Sequence, residues 1–344
     1  MGSQEPLRGA VLGLGMMGRH HARILQSHPA MRFAGAVDPG GDRFGAVRDG
    51  ALVFATIAEL LDQAPGGPPD FAVIAVPTEE HLPAVRELAA AGVHVLVEKP
   101  LAATADEARE IIEVVRAAGL IGAVGHVERC NPALLDLRRR VQGGQLGEVF
   151  LVATERVGPF PDRVRDVGVV KDLATHDLDL VRWLGGAPVE RVAAQTQHRM
   201  GREHEDLVLV TGRLENERAF NSVVDWLTPT KVRRTRVLGE RGMLVADTLT
   251  ADLTFYENAD VPTGGWPAMQ AMRGVAEGDM TRYALARREP LAVELEMFCA
   301  HVRGDEDATV VSLLEGLETV AVAEAVLASA ASGQTVVLDR SAAA

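Results

Sequence analysis

Apolar residues come in blocks along the first third of the chain. Five short, near-continuous apolar runs, at 10–12, 33–38, 71–77, 93–100 and 121–127, are each followed by a stretch with helical spacing. Runs of this kind between amphipathic helices predict a parallel sheet covered on both faces. The helix after 71–77 is expected to be capped by Thr78 and to close near Gly92. The next has a capping box, Thr104 with Glu107, and an apolar face of Ala108, Ile111, Ile112 and Val115.

Beyond Asn131 the pattern changes. Asn131 and Pro132 open one more helix, as cap and first-turn residue. Strand-like segments then follow: "EVFLVATERV", "VERVAAQTQHR", "EDLVLVTGRL", "RAFNSVVDWL", "KVRRTRVLGE", "MLVADTL" and "ADLTFYEN". Most are joined by short polar turns, which predicts a large, mostly antiparallel sheet. Two late helices, near 291–303 and 312–332, are expected to pack back on the first domain. The fold class is α/β: a doubly wound parallel-sheet domain over 1–125 and an α+β domain over 126–344. One face of the second sheet needs cover, so a homodimer or homotetramer is expected.

Composition narrows the classes. Of 344 residues 47% are hydrophobic and 24% charged, which suits a globular protein with a substantial core. Lys and Arg number 35 against 48 Asp and Glu, a formal net charge of −13, which argues against a general grip on nucleic acid or anionic lipid. Cys130 and Cys299 have no metal-site spacing and read as reduced core thiols. The start lacks a signal-peptide pattern, and no apolar run reaches the roughly 20 residues of a membrane span. A cytoplasmic protein without a metal is expected.

The first apolar run leads into "GLGMMGRHHA", with Gly13, Gly15 and Gly18 in the G-x-G-x-x-G spacing of the Rossmann dinucleotide-binding fold. Gly13 serves the tight turn, Gly15 the approach of a pyrophosphate and Gly18 the close packing of helix on strand. Met16 and Met17 fill the loop between them. Asp38 ends the second run at the remove where a carboxylate meets ribose hydroxyls. It repels a 2′-phosphate, and Pro39, Gly40 and Gly41 bring no cation behind it, so NAD is favoured over NADP, with Arg43 as the nearest contrary charge. "VPTEEH", "EKP" and "GHVERCN" all begin at strand C-termini, where such sheets bind ligands. Val76, Pro77, Thr78, His81, Glu98, Lys99 and His126 are therefore expected around one cleft. His20 and His21 read as helix-surface or packing residues.

In "KDLATHDLD", Asp172 and His176 stand one i,i+4 step apart on one helix face. Taken alone, a cap and a packed histidine would be the favoured reading of the two. The order of motifs changes that. In "GLGMMGRHHAR", "VPTEEH", "EKP", "GHVERCNP" and the D-x-x-x-H of "DLATHD", the chain resembles the glucose-fructose oxidoreductase / inositol dehydrogenase / MocA (Gfo/Idh/MocA) family across essentially its whole length. The resemblance implies a Rossmann domain, a sheet-rich second domain and NAD(P)-linked oxidation of a sugar or polyol hydroxyl, or reduction of the ketone. "PFPDRVRDVGVVKDLATHDLDLVRWL", "WLTPTKVRRTRVLGERGMLVADTLTADLTFYEN" and "EGDMTRYALARREPL" look most like the branch of UDP-N-acetylglucosamine or UDP-hexose 3-dehydrogenases, whose keto products commonly pass to an aminotransferase.

The resemblance groups Lys99, Asp172 and His176 as catalytic residues. A histidine, with an unperturbed pKa of about 6.5, suits removal of the hydroxyl proton at neutral pH. Asp172 would orient the ring or contact a neighbouring hydroxyl, and Lys99 would donate to the reacting oxygen. Lys99 could be the base only if burial and nearby cations lowered a pKa that starts at about 10.4. A UDP-sugar brings two phosphates, for which Arg163 or Arg165 is the expected partner, with Lys171 and Arg156 nearby in sequence. His126 and Thr175 complete the expected substrate side. Asp177 and Asp179 read as structural, and the run Lys231, Arg233, Arg234, Arg236 as an exposed strand face. Rival readings are an inositol or free-sugar dehydrogenase, an NADPH-dependent sugar 3-ketoreductase, and a non-catalytic NAD-binding regulator.

Overall fold

The computed structural model describes residues 5–161, 167–259 and 276–338. They form two compact units. One comprises the chain up to Val127 together with Leu291–Ala321, the other Glu128–Pro290 and the chain from Val322 on.

The first unit is a six-stranded parallel sheet in the order β3-β2-β1-β4-β5-β6. Its strands are β1 (Leu7–Leu12), β2 (Met31–Val37), β3 (Val53–Phe54), β4 (Phe71–Ile74), β5 (His94–Glu98) and β6 (Gly122–Gly125). Between them run α1 (Gly18–Ser27), α2 (Ile57–Gln63), α3 (His81–Ala90) and α4 (Ala105–Ala117). The apolar runs form strands because helices on both faces bury them: all of β4 is inaccessible, as are Ala10 and Val11 of β1. The chain moves outward from β1 to β3 and then resumes on the other side at β4, so the order reverses between β1 and β4. Ligands bind at such switch points, beyond the strand C-termini.

Local signals set the helix starts unevenly. Thr56 and Thr104 accept the N–H groups of Glu59 and Glu107, and Glu107 reaches back to the N–H of Ala103 at 3.1 Å. Thr78 is not the side-chain cap expected of it. It opens a 3₁₀ turn, Thr78–Glu80, ahead of α3. The two-residue edge strand β3 was too short to leave a period. Helix α7 (Pro290–Val302) packs in the core of this unit, with Leu295 and Phe298 fully buried and Phe298 edge-on to Phe71 at 5.6 Å. Each such side chain contributes about 1.5–3 kcal/mol.

The second unit begins with α5 (Pro132–Gln142), whose cap Asn131 accepts the N–H of Ala133 at 3.0 Å. Strands β7 (Val149–Pro159), β8 (Val189–Gln197), β9 (Leu207–Leu214), β10 (Ala219–Asp225), β11 (Leu227–Gly239), β12 (Gly242–Asp247), β13 (Asp252–Ala259), β14 (Ala276–Tyr283) and β15 (Val336–Val337) make a nine-stranded sheet. Its order is β14-β13-β12-β11-β7-β10-β9-β8-β15, antiparallel except where β10 lies parallel to β7. β14 and β15 were not anticipated. Helix α6 (Thr175–Gly185) connects β7 to β8, and α8 (Leu313–Ser332) runs late in the chain. The late helices differ from expectation in part: Leu313, Leu317 and Val320 of α8 belong to the first core, but Val322, Ala323 and Val326 belong to the second.

Register separates the two faces of this sheet. Val152, Thr154 and Arg156 of β7 align with Phe220, Ser222 and Val224 of β10 and with Val237, Thr235 and Arg233 of β11 on the buried face. Arg233 is therefore not on the exposed strand face with Arg234 and Arg236; it turns inward, half-buried, and donates to the carbonyls of Val157 and Val232. On the other face Met280, Tyr256, Met243, Leu238 and Leu151 pair in one cross-strand row. Met280 is 65% exposed, Tyr256 42% and Leu238 39%, so this row is an uncovered apolar stripe.

Candidate active site

The first unit brings most of the sequence-derived cofactor residues to one edge of its sheet. Gly13 follows β1, Asp38 follows β2, Val76, Pro77 and Thr78 follow β4, Lys99 follows β5 and His126 follows β6, and all five strands point the same way. The three glycines have separate spatial reasons. Gly13 has φ +84°, and a Cβ there would meet the Ala75 carbonyl at 2.7 Å. A Cβ on Gly18 would fall 1.7 Å from the Gly13 oxygen, while one on Gly15 would meet nothing within 4 Å. The turn and the helix contact are thus closed, and the middle of the loop is open for phosphates at the start of α1. Met16 is exposed and Met17 half-buried on this loop.

Asp38 shapes the loop as well as facing it. One carboxylate oxygen accepts the N–H of Leu14 and the other that of Gly40, both at 2.8 Å. These residues fit a dinucleotide: an open glycine, a helix start and a carboxylate at the second strand. Arg43 folds over Gly40, and Arg19 lies 5.1 Å over the ring of Phe44.

His81 is buried, its ring nitrogens 3.1 and 3.2 Å from the carbonyl oxygens of Leu101 and Val76. Burial lowers its pKa, against the pull of those carbonyls and Glu98. It therefore ties α3 to the ends of β4 and β5. Glu98 is buried, and Lys99, joined to Pro100 by a cis peptide bond, is half-buried. His21, read as a helix-surface or packing residue, is fully buried, and it also makes a contact the sequence did not announce: its Nε2 lies 2.8 Å from Glu98 Oε1. Its place one turn after Gly18, on the face that buries Ala22 and Leu25, was the available signal.

In the second unit, Lys171 and Asp172 lie on a π-helical turn, Val170–Ala174, that runs into α6 with Thr175 and His176. A simple α-helix start had been expected; wide turns of this kind are frequent at functional sites. The turn begins on Glu205, whose carbonyl accepts the N–H of Val169 and whose carboxylate accepts that of Val170, both at 3.0 Å. Gly168 makes room for that carboxylate, since a Cβ there would sit 2.0 Å from it. Thr175 is buried and donates to the Lys171 carbonyl at 3.3 Å, while Asp172 and His176 are half-buried.

The acids flanking His176 fix the helix. Arg156 Nε donates to Asp177 at 2.6 Å and Nη1 to Glu128 at 2.8 Å; Arg129 Nε donates to Asp179 at 2.7 Å. Burial would raise Glu128, but the Arg156 guanidinium holds it below the usual carboxylate range, and the two acids raise Arg156 in turn. Arg156 is thus engaged by these ion pairs, and the diphosphate expectation falls to Arg163 or Arg165. Arg163 and Arg165 lie outside the described residues.

Lys99 is a residue of the first unit and Asp172 and His176 of the second, and their cooperation in one reaction is a proposal. Among the described residues no group of His, Cys, Asp and Glu is placed to hold a metal, and no helix is long and apolar enough to cross a membrane.

Two family profiles match the chain: the Gfo/Idh/MocA oxidoreductase family, NAD-binding Rossmann fold, over residues 7–126, and the Gfo/Idh/MocA C-terminal domain over residues 134–245. The UDP-N-acetylglucosamine 3-dehydrogenase of Acidithiobacillus ferrooxidans is 31% identical over 300 residues, 85% of this chain and 87% of that protein. Its crystal structure superposes with a TM-score of 0.81 at 27% identity, covering 95% of this chain and 98% of that one. The myo-inositol dehydrogenase Hyg17 of Streptomyces leeuwenhoekii is 32% identical over 248 residues, 68% of this chain and 75% of that protein. The WlbA dehydrogenase of Bordetella pertussis, solved with NADH and UDP-GlcNAcA, shares the fold at a TM-score of 0.77 and 22% identity over 97% of this chain and 99% of that one. With its glycine loop, its parallel sheet and its sheet-rich second unit, the chain belongs to the Gfo/Idh/MocA family and is an NAD(P)-dependent oxidoreductase.

Proposed function

We propose that the protein oxidises a secondary hydroxyl, that of C3, on a UDP-hexose such as UDP-N-acetylglucosamine or UDP-glucose. The product is the 3-keto sugar, a suitable substrate for an aminotransferase. The observation that carries this reading is the 31% identity, over 85% of the chain, to a UDP-N-acetylglucosamine 3-dehydrogenase. When bound, the nicotinamide supplies the hydride acceptor. His176 takes the hydroxyl proton as the carbon loses hydride and the C–O bond becomes a carbonyl. Lys99 donates a hydrogen bond to that oxygen and stabilises the negative charge that develops on it. Asp172, one turn before His176, orients the imidazole or holds an adjacent hydroxyl. Gly13, Gly15 and Gly18, with Met16 and Met17, line the pyrophosphate loop, and Val76, Pro77, Thr78 and His81 border the nicotinamide side. Arg163, Arg165, Lys171, Thr175 and His126 are the proposed substrate contacts.

NAD is the proposed cofactor. The Asp38 carboxylate would accept the ribose hydroxyls and oppose a 2′-phosphate, while Arg43 lies against Gly40 close by. The apolar row from Met280 to Leu151 favours a homodimer or homotetramer that covers it. Two buried cysteines that form no disulfide accord with a cytoplasmic setting.

The inositol dehydrogenase at 32% identity favours a second reading, oxidation of a polyol. Absorbance of the reduced nicotinamide separates the two, with NAD and with NADP, against UDP-glucose, UDP-N-acetylglucosamine, myo-inositol and glucose, and with a ketone trap to pull the equilibrium. Turnover of a UDP-sugar with NAD is expected. Turnover of polyols alone would replace the UDP-sugar reading with the second one.

A further inference from the structure

The first backbone N–H groups of a helix need partners from outside it, and the turn that opens at Val169 has none close by in sequence. Neither Gly168 nor Val169 carries a side-chain oxygen, so no local cap is available. Both donors are taken instead by one residue, Glu205, which stands 35 positions from Val170. Its carbonyl accepts the N–H of Val169 and its Oε1 that of Val170, both at 3.0 Å, while the N–H of Asp172 returns to the Gly168 carbonyl at 3.1 Å. Val169 and Val170 are fully buried and Glu205 is 8% exposed, so water has little access to these bonds. A carboxylate also suits the positive end of a helix.

Gly168 completes the arrangement. A Cβ there would meet Oε1 of Glu205 at 2.0 Å, with its Cδ and Oε2 at 2.1 Å. A serine, threonine or aspartate cap just before the turn would occupy the same space, so the glycine and the borrowed cap belong together. The connection between β8 and β9 that carries Glu205 is itself tied down. Asp206, fully buried, accepts the N–H groups of Arg199 and Met200 at 2.8 and 2.9 Å. Arg202 Nη2 donates to the Val167 carbonyl at 2.8 Å, and its guanidinium lies 4.7 Å over the ring of Phe160 and 5.3 Å over that of Trp226. The connection therefore grips the chain on both sides of Gly168.

We propose that Glu205 is a positioning residue for the reaction: from the β8–β9 connection it caps the π-helical turn and so sets where Asp172 and His176 project. Gly168 is its required counterpart. The inference rests on the roles proposed above for Asp172 and His176, and it adds no group to those that touch the substrate.

Variants on both sides of the contact test it. Glu205→Ala is expected to lower kcat about 10- to 100-fold, the scale of an ångström-sized misplacement. NAD affinity, measured by titration, should be unchanged, because the proposed cofactor residues all lie in the first unit. Glu205→Gln, whose amide oxygen still accepts from Val170, is expected to lose less than Glu205→Asp, which keeps the charge and draws the oxygen back by one methylene. Gly168→Ala keeps Glu205 but displaces its carboxylate, and should lower kcat in the same way. In Gly168→Ala/Glu205→Ala the new Cβ enters space the carboxylate has left, so kcat should be no lower than in Glu205→Ala alone. Hydrogen–deuterium exchange of the peptide from Val169 to His176, followed by mass spectrometry, should be faster in Glu205→Ala and in Gly168→Ala than in the wild type. Losses of kcat that multiply in the double variant, a smaller loss in Glu205→Asp than in Glu205→Gln, or wild-type kcat despite faster exchange overturn the positioning role. Exchange at the wild-type rate overturns the cap itself. If His176→Ala keeps full kcat, the role proposed for His176 is what fails, whereas exchange reports on the Glu205 cap independently.

Discussion

The two units bury acids beside their candidate catalytic residues in opposite ways. In the second unit, Glu128 and Asp177 share the guanidinium of Arg156 and Asp179 takes that of Arg129, so the flanks of His176 are ionic. In the first unit, Glu294 Oε2 has no hydrogen-bond partner among the described residues, and Glu98 meets a histidine and a backbone N–H. The difference teaches what sets the state of a buried carboxyl. Beside Arg156, Glu128 is held below the usual carboxylate range although burial opposes it, while the more deeply buried Asp177 is raised by burial against the pull of the same guanidinium; Glu294, without an arginine, is raised well above that range.

The largest effects should come from removing one piece from each unit. Lys99→Ala and His176→Ala are each expected to lower kcat by about 100- to 10,000-fold while NAD still binds, as measured by steady-state kinetics and nucleotide titration. A fall in only one of them would mean that a single unit carries the proton chemistry. Next in size is Arg156→Met. It leaves half-buried Glu128 and buried Asp177 without the Arg156 cation, which costs about 3–5 kcal/mol in chemical denaturation. Replacing the arginine and both acids together by apolar residues should recover much of that loss, because the pair itself contributes little beyond neutralising its members.

A third test uses pH. Glu128 titrates below its ordinary value of 4.5 when folded, so its contribution to stability is present above that value and is lost as pH falls through the folded one. Glu294 is raised above its ordinary 4.5, so its contribution is present below that value and is lost as pH rises through the folded one. Melting temperature against pH should therefore lose part of its acid-side slope in Glu128→Gln and part of its alkaline-side slope in Glu294→Gln. If both variants flatten the same side, the contrast between the units is wrong.

The same contrast explains what the sequence reveals. The glycine loop, Asp38 and the strand-end residues were legible because their geometry is local: steric limits at Gly13 and Gly18 and a strand period act within a few tens of residues. The hold on His176 was not, because Glu205 and Arg129 act on the helix from 35 and 50 residues away, and no period announces them. Arg233 was misread for that reason, since a charge in a strand says nothing of its face until the register is known. The π-helical turn was hidden too: its extra residue leaves Asp172 and His176 four positions apart, as an α-helix would. The grouping of Lys99 with those two residues came from resemblance, and composition could not have supplied it.

The smallest expected effect belongs to an acid held in a third way. Asp38 is held by the backbone: each of its oxygens accepts an N–H, from Leu14 and from Gly40. It can thus act through charge, against a 2′-phosphate, or through shape, by fixing the glycine loop. Asp38→Asn removes the charge and keeps one accepting oxygen. If charge dominates, KM for NADP falls and KM for NAD rises, and discrimination shrinks by about tenfold, equivalent to about 1.4 kcal/mol. If shape dominates, both KM values rise together and discrimination is unchanged, because losing the Leu14 or Gly40 contact disturbs the loop for either nucleotide. The expected outcome is the first, since Arg43 already lies against Gly40 and the Asp38 carboxylate opposes a phosphate there.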